Sequence, residues 1–306
     1  MTTRSISALT TSILTSLALV GCAEPPADLD EESAALVGDG YATYEHTSAS
    51  DPLGRDLSAE VHHACVLAGV AGNLANGAFA NTYGGVKQRP AMAVVGDHYP
   101  TTGHPWLIAH GGSHQNQYGN EAWTGKRVRA QASCFYANGY SASETLVTQG
   151  VVKLADLSIS RMVVRQCFLT GLEGVDASWN QPTFYARVVK RTTTDATHPT
   201  TGWYLEGDMN DGDSIVGHPH AHAACIDFPG GTTVTTGTVY SNPDMSTTWP
   251  IAGSTGLKAC GLTGVTRAFD VDSDTDGALM TLPTTPEGMW LLTTRNGKSA
   301  SWACVR

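Results

Sequence analysis

The chain has 306 residues, with 18 Lys and Arg against 28 Asp and Glu, a net charge of −10 and a charged fraction of only 15%. Its densest basic runs are Lys126-Arg127-Val128-Arg129 and Lys190-Arg191, which argues against a nucleic-acid partner, since that needs a basic face. Low charge with abundant Thr, Ser and Gly suits an extracellular β-protein better than a cytosolic helical one.

Residues 1–21 carry one positive charge, Arg4, followed by a moderately apolar run over 6–20. That is the layout of a signal peptide, and the run is too short and too rich in Thr and Ser to persist as a spanning helix. It ends Leu19-Val20-Gly21-Cys22. This resembles the lipobox of bacterial lipoproteins, in which the Cys is acylated and becomes the first residue of the mature chain. The resemblance implies lipidation of Cys22 and attachment to a membrane through that lipid, stable when more than one acyl chain is added. Ala rather than Asp at position 23 implies, in that class, the outer membrane or surface of the bacterial cell envelope. The alternative is an ordinary signal peptide with a chance Cys. Residues 22–40 hold Pro25-Pro26, Asp28, Asp30, Glu31 and Glu32 with few apolar residues, which reads as a disordered tether.

Beyond residue 40 a short motif occurs three times: Cys65-Val66-Leu67-Ala68-Gly69-Val70, Cys167-Phe168-Leu169-Thr170-Gly171-Leu172 and Cys260-Gly261-Leu262-Thr263-Gly264-Val265. Each is followed by a second Cys (Cys134, Cys225, Cys304) with an Ala four residues before it (Ala130, Ala221, Ala300). Between the two Cys stands a Trp with two large residues after it, at Trp106-Leu107-Ile108, Trp203-Tyr204-Leu205 and Trp290-Leu291-Leu292. So many anchors in one order predict a repeat, with units at 41–136, 137–227 and 228–306. Seven Cys less Cys22 leaves six, all in the repeats. Export means an oxidising compartment, and of the pairings open to six Cys the repeat selects Cys65–Cys134, Cys167–Cys225 and Cys260–Cys304. A zinc site on these Cys would want close pairs such as C-x-x-C, and the chain has none.

The third unit predicts a strand from Trp290, a type I′ hairpin turn at Asn296-Gly297, and a returning strand over 299–305. Its alternation puts Ala300, Trp302 and Cys304 on one face; Ala130, Ala132 and Cys134, and Ala221, Ala223 and Cys225, take the same places in the other units. A further strand is expected before each Trp, over 91–95, 184–189 and 278–282. Residues 146–152 and 233–239 match each other as strand, Gly bend, strand. A short helix over 57–65, capped by Ser58, is the one helical expectation. The fold class expected is all-β: three repeated, small, disulfide-closed units, sandwich-like or barrel-like, set as beads or around a pseudo-threefold axis. The pattern resembles Cys-framed repeats of the form C-F-L-T-G-x-x-G … W-Y-L … A-x-A-x-C in secreted bacterial proteins, a resemblance that implies an architecture and no catalytic residues.

Candidate sites lie where the units differ, because loops on a rigid frame carry binding. The Trp-to-Cys loop of the second unit holds Asp208, Asp213, His218, His220 and His222. His220 and His222 are two apart on a strand, so they share a face about 7 Å apart, a workable pair of zinc ligands with Asp208 or Asp213 as third. The alternative is a polar outer face with incidental His. In the first unit His110-Gly111-Gly112-Ser113-His114 resembles the oxyanion loop of esterases, but the G-x-S-x-G elbow of that fold is absent from the chain. The third unit holds Asp272, Asp274 and Asp276, then Gly277, spaced like the start of a calcium loop. Position twelve is Pro283 rather than Glu, so the rival is a hairpin tip.

The sequence supports three functional expectations. The first is a surface-anchored binding or adhesion lipoprotein presenting its loops to a glycan or a cell-surface protein, with Tyr118, Trp123, His110 and His114, beside Asn116 and Gln117, as ligand contacts. The second is a metal-dependent extracytoplasmic enzyme or metal-binding protein using the His-rich loop, with zinc or calcium as the ion. The third is a structural envelope protein.

Overall fold

The computed structural model describes residues 42–47, 55–57, 63–72, 74, 82–88, 106–109, 128–136, 139–140, 144–147, 149–157, 162–174, 183–209, 220–253, 257, 259–267, 273, 275–281 and 288–306. These residues form strands and turns, with no helix among them: the protein is all-β. The segment 41–136 contributes β1 (Ala42–Thr47), β2 (Arg55–Leu57), β3 (His63–Gly72), β4 (Thr82–Gln88), β5 (Trp106–Ala109) and β6 (Val128–Tyr136). The segment 137–227 contributes β7 (Gly139–Tyr140), β8 (Glu144–Val147), β9 (Gln149–Ala155), β10 (Val163–Gly174), β11 (Tyr185–Arg191), β12 (Gly202–Asp208) and β13 (His220–Pro229). The last segment contributes β14 (Val234–Tyr240), β15 (Ser246–Gly253), β16 (Ala259–Thr266), β17 (Gly277–Thr281), β18 (Met289–Arg295) and β19 (Ser299–Val305).

All three expected disulfides form: Cys65–Cys134, Cys167–Cys225 and Cys260–Cys304. Each joins residues directly opposite on adjacent antiparallel strands, β3 with β6, β10 with β13 and β16 with β19. The Cys-x-Leu-x-Gly run has a local cause. After each Leu the ladder skips one residue, Ala68, Thr170 or Thr263, and pairing resumes at Gly. That is a β-bulge, which bends the strand and re-aims the side chains after it. Beyond it Val70, Leu172 and Val265 face Ala130, Ala221 and Ala300, and all six are buried.

The strands assemble into three sheets, ordered β1-β6-β3-β17-β18-β15, then β2-β5-β4-β10-β13-β7 with β8 also on β13, then β14-β19-β16-β11-β12-β9. Among the described residues none closes on itself, so the sheets are open rather than barrel-like. The disulfide-closed segments do not each hold their own sheet either. The bridged pair of the first segment continues into β17 of the third; that of the third into β11 of the second; that of the second into β4 of the first. At the centre β3, β10 and β16 pack pairwise. There a Cβ added at Gly261 would come within 2.6 Å of Val66 and 2.8 Å of Phe168. The residues just after the first Cys of each motif therefore share one space, and Gly in one copy makes room for Phe in another. Phe168, Phe135 and Phe228 extend this core, with ring centroids 6.4 Å and 5.6 Å apart along the series.

Several local expectations are corrected. Leu57 and residues 63–65 are strand, so the helix over 57–65 is absent from its described part; a Val- and Cys-bearing run buried on both sides favours the ladder. β5 pairs with β2 and β4, and the strand expected over 91–95 lies outside the described residues. The two Gly-centred pieces are not alike. Gly150, at φ 135°, opens β9, whereas Gly237 sits inside β14 with the Trp302 ring against it. The Asn296-Gly297 turn has the expected type I′ signature, φ 54° and 74°, closed by Lys298 N–H to Arg295 O at 3.1 Å. It is not a hairpin, however: β18 pairs with β15 and β17, and β19 with β14 and β16. The backbone groups beside the turn bond residues 241–245 instead.

Candidate functional site

The turn at 295–298 forms one wall of a cleft. Asn242-Pro243-Asp244-Met245 forms the second, as a type II turn closed by Met245 N–H to Asn242 O at 3.2 Å. Pro fits its first corner, and the second requires positive φ, here 60° at Asp244, where Gly or Asn is the usual occupant. The two turns are tied together. Asn296 N–H donates to Met245 O at 2.9 Å, Gly297 N–H to Asn242 O at 3.0 Å, and Ser241 N–H to Lys298 O at 3.0 Å.

The third wall is Ser273, Thr275 and Asp276, at the end of the predicted calcium loop. Asp276 N–H donates to Ser273 O at 3.1 Å, and Asp276 O accepts from Gly72 N–H on β3 at 3.0 Å. The Asp276 carboxylate points inward, with Lys298 Nζ at 2.8 Å on one oxygen and Asn296 Nδ2 at 2.9 Å on the other. Both charged side chains of that pair are 3% exposed. Its partners being in place, Asp276 acts as the bolt between loop and turn. Arg295 reaches across the mouth, Nη1 donating to Thr275 Oγ1 at 3.0 Å, and Ser273 Oγ lies 3.1 Å from the same hydroxyl. The cleft, open to solvent on one side, holds about 230 Å³ and is lined by Asp244, Met245, Ser246, Ser273, Thr275, Asp276, Arg295 and Asn296.

Elsewhere the structure brings together fewer of the expected residues. His220 and His222 share one face of β13, as their spacing predicts, with ring centroids 6.1 Å apart and planes at 90°. Asp208, half-buried at the end of β12, does not join them: among the described residues no group of three His, Cys, Asp or Glu is placed to hold a metal. Asp213, His218, Asp272, Asp274, His110, His114, Asn116, Gln117, Tyr118, Trp123 and Cys22 lie outside the described residues.

One cluster escapes sequence reasoning. Glu206 on β12 is 5% exposed. It accepts from Arg187 Nε and Nη2 at 3.0 and 2.9 Å and from Arg191 Nη2 at 2.9 Å. The 192–201 loop folds His198 onto it. His198 Nε2 stands 2.6 Å from Glu206 Oε1, too oblique for a hydrogen bond, while Nδ1 is 3.0 Å from Asp195 Oδ1. Burial pushes the Glu206 carboxyl pKa up; hydrogen bonds and charge from Arg191 and Arg187 outweigh that and hold it below its ordinary value. Asp195 is lowered as well, first by the His198 backbone N–H. A Glu directly after the apolar run Trp203-Tyr204-Leu205 was the available signal, and Arg187 stands opposite it in register. With two Arg already on the carboxylate, the cluster works as a clamp on the loop.

Comparison of the chain with protein-family models and with curated proteins finds no match.

Proposed function

We propose that this chain is an exported, lipid-anchored binding protein of the bacterial cell surface, and that it holds a glycan in the cleft between the turns 242–245 and 295–298. One observation carries the reading. The cleft presents a carboxylate, a guanidinium, hydroxyls and an amide on backbone held by turn-to-turn hydrogen bonds. Those are the acceptors and donors a ring of hydroxyls needs, and ordered walls reduce the entropy lost on binding. The three disulfides support export, since such bonds persist outside the reducing cytosol, and the lipobox-like run supports the anchor.

The test is a glycan array probed with the purified protein and with Asp244→Ala. Signal on a defined set of sugars that the variant loses supports the proposal, and silence across the array rejects it. The anchor is checked separately: Cys22→Ser should move the protein from the membrane fraction to the soluble fraction, and an unchanged distribution rejects lipidation. A second reading, favoured by the shared face of His220 and His222, is zinc binding. Zinc retained after dialysis against chelator and lost in His220→Ala is its expected result.

A further inference from the structure

The geometry points to a sugar bearing a carboxylate as the ligand of this cleft, a step that rests on the glycan-binding reading. Arg295 is half-buried, and among the described residues its side chain makes one hydrogen bond, to the neutral Thr275 hydroxyl. A guanidinium carries five donors in a planar fork, so most of this fork is left for a ligand. Asp276 in the cleft is no substitute, because both its oxygens are taken by Lys298 and Asn296. Among the described residues Arg295 has no carboxylate partner, although the chain as a whole is acidic. Arg is the side chain whose fork matches a carboxylate through two parallel hydrogen bonds.

Asp244 narrows the class. It lines the same cleft with no donor on its carboxylate among the described residues, at the positive-φ corner of its turn (60°). A bare inorganic anion would meet repulsion from Asp244. A ligand with its negative charge at one end and hydroxyls at the other satisfies both groups, the acid end on Arg295 and the hydroxyls on Asp244 and Ser273. The size agrees: 230 Å³ is below the ~300–1,000 Å³ of drug-sized sites and seats one ring, leaving the rest of a glycan in solvent.

The probes are glucuronic, galacturonic and mannuronic acids, each beside its own methyl ester, titrated calorimetrically into the purified full-length protein. At least one acid should bind about tenfold or more tighter than its ester, the scale of a charge-assisted pair. Arg295→Gln should erase that difference and Arg295→Lys restore part of it. Asp244→Asn should weaken acid and ester alike. Each variant must keep the melting temperature of the parent, which separates ligand loss from misfolding. Esters binding as tightly as their acids, or a preference that survives Arg295→Gln, overturns the acidic ligand while glycan binding stands. If neither acids nor esters bind and the array is also silent, both readings fall.

Discussion

Gly261 shows how little room the centre of the molecule has. Its Cα lies where three strands from three parts of the chain meet, and a Cβ there would sit 2.6 Å from Val66 and 2.8 Å from Phe168. Neither neighbour is a flexible tip, so Gly261→Val should cost roughly 1–3 kcal/mol or more by overpacking, read as a lower denaturant midpoint with unchanged m. Phe168→Leu introduced alongside should recover part of that loss. Additive costs in the double variant would mean that the two residues do not share the space. A different balance governs Glu206. Its carboxyl is held below the unfolded value, so its stabilisation is full above roughly pH 4.3 and drains as the pH falls through the folded pKa. The melting temperature should be level from pH 7 to 5 and drop below about pH 4. Glu206→Gln should flatten that acid limb and lower the melting temperature at pH 7, because Arg187 and Arg191 lose their charge partner. An acid limb unchanged in Glu206→Gln would remove Glu206 as its cause.

At the level of strands and turns, the parts legible in the sequence are those with a local cause. A direct cross-strand bridge demands Cys opposite Cys, and a bulge one residue past Leu accounts for the spacing to Gly. The type I′ turn was readable from Asn296-Gly297 for the same reason: two successive positive φ values suit that pair. The strand pairing on either side of the turn was not readable. Nothing in residues 289–305 states that β18 and β19 part company, because their real partners, β15 and β17 on one side and β14 and β16 on the other, are long-range. The cleft has the same character. Asp272, Asp274 and Asp276 stood out by spacing, but the walls facing Asp276 come from turns elsewhere in the chain, and Lys298, a turn residue by sequence, is buried as its ion partner. The turn is thus a hinge pin between two sheets, and it should tolerate little. At Gly297 a Cβ would approach Arg267 Nη1 at 2.6 Å on a backbone with φ 74°. Gly297→Ala should cost about 1–2 kcal/mol, the penalty of a left-handed backbone for an L-residue. It should also weaken sugar binding, since the turn carries Arg295 and Asn296. A variant as stable as the parent would mean the turn relaxes freely.

For the molecule as a whole, strand sharing decides how the bridges act. Were the three disulfide-closed segments independent, opening one would unfold one and leave the others standing. In this fold the Cys260–Cys304 pair sits in β16 and β19, and β16 continues through β11 into strands of the second segment, while the third segment's β17 and β18 complete the sheet begun by β3 and β6. Each segment therefore supplies part of another's sheet. Bridges over separations of 69, 58 and 44 residues each remove about 4 kcal/mol worth of unfolded-chain freedom. The double variant Cys260→Ala, Cys304→Ala should then lower one cooperative transition as a unit by up to that amount, and amide exchange should rise in β3 and β10 as well as in β16. Calorimetry showing a new low-temperature peak confined to the third segment, with β3 and β10 still fully protected, would mean that the segments are beads on a string. The shared centre at Val66, Phe168 and Gly261 argues the other way, because losing one strand there exposes the other two.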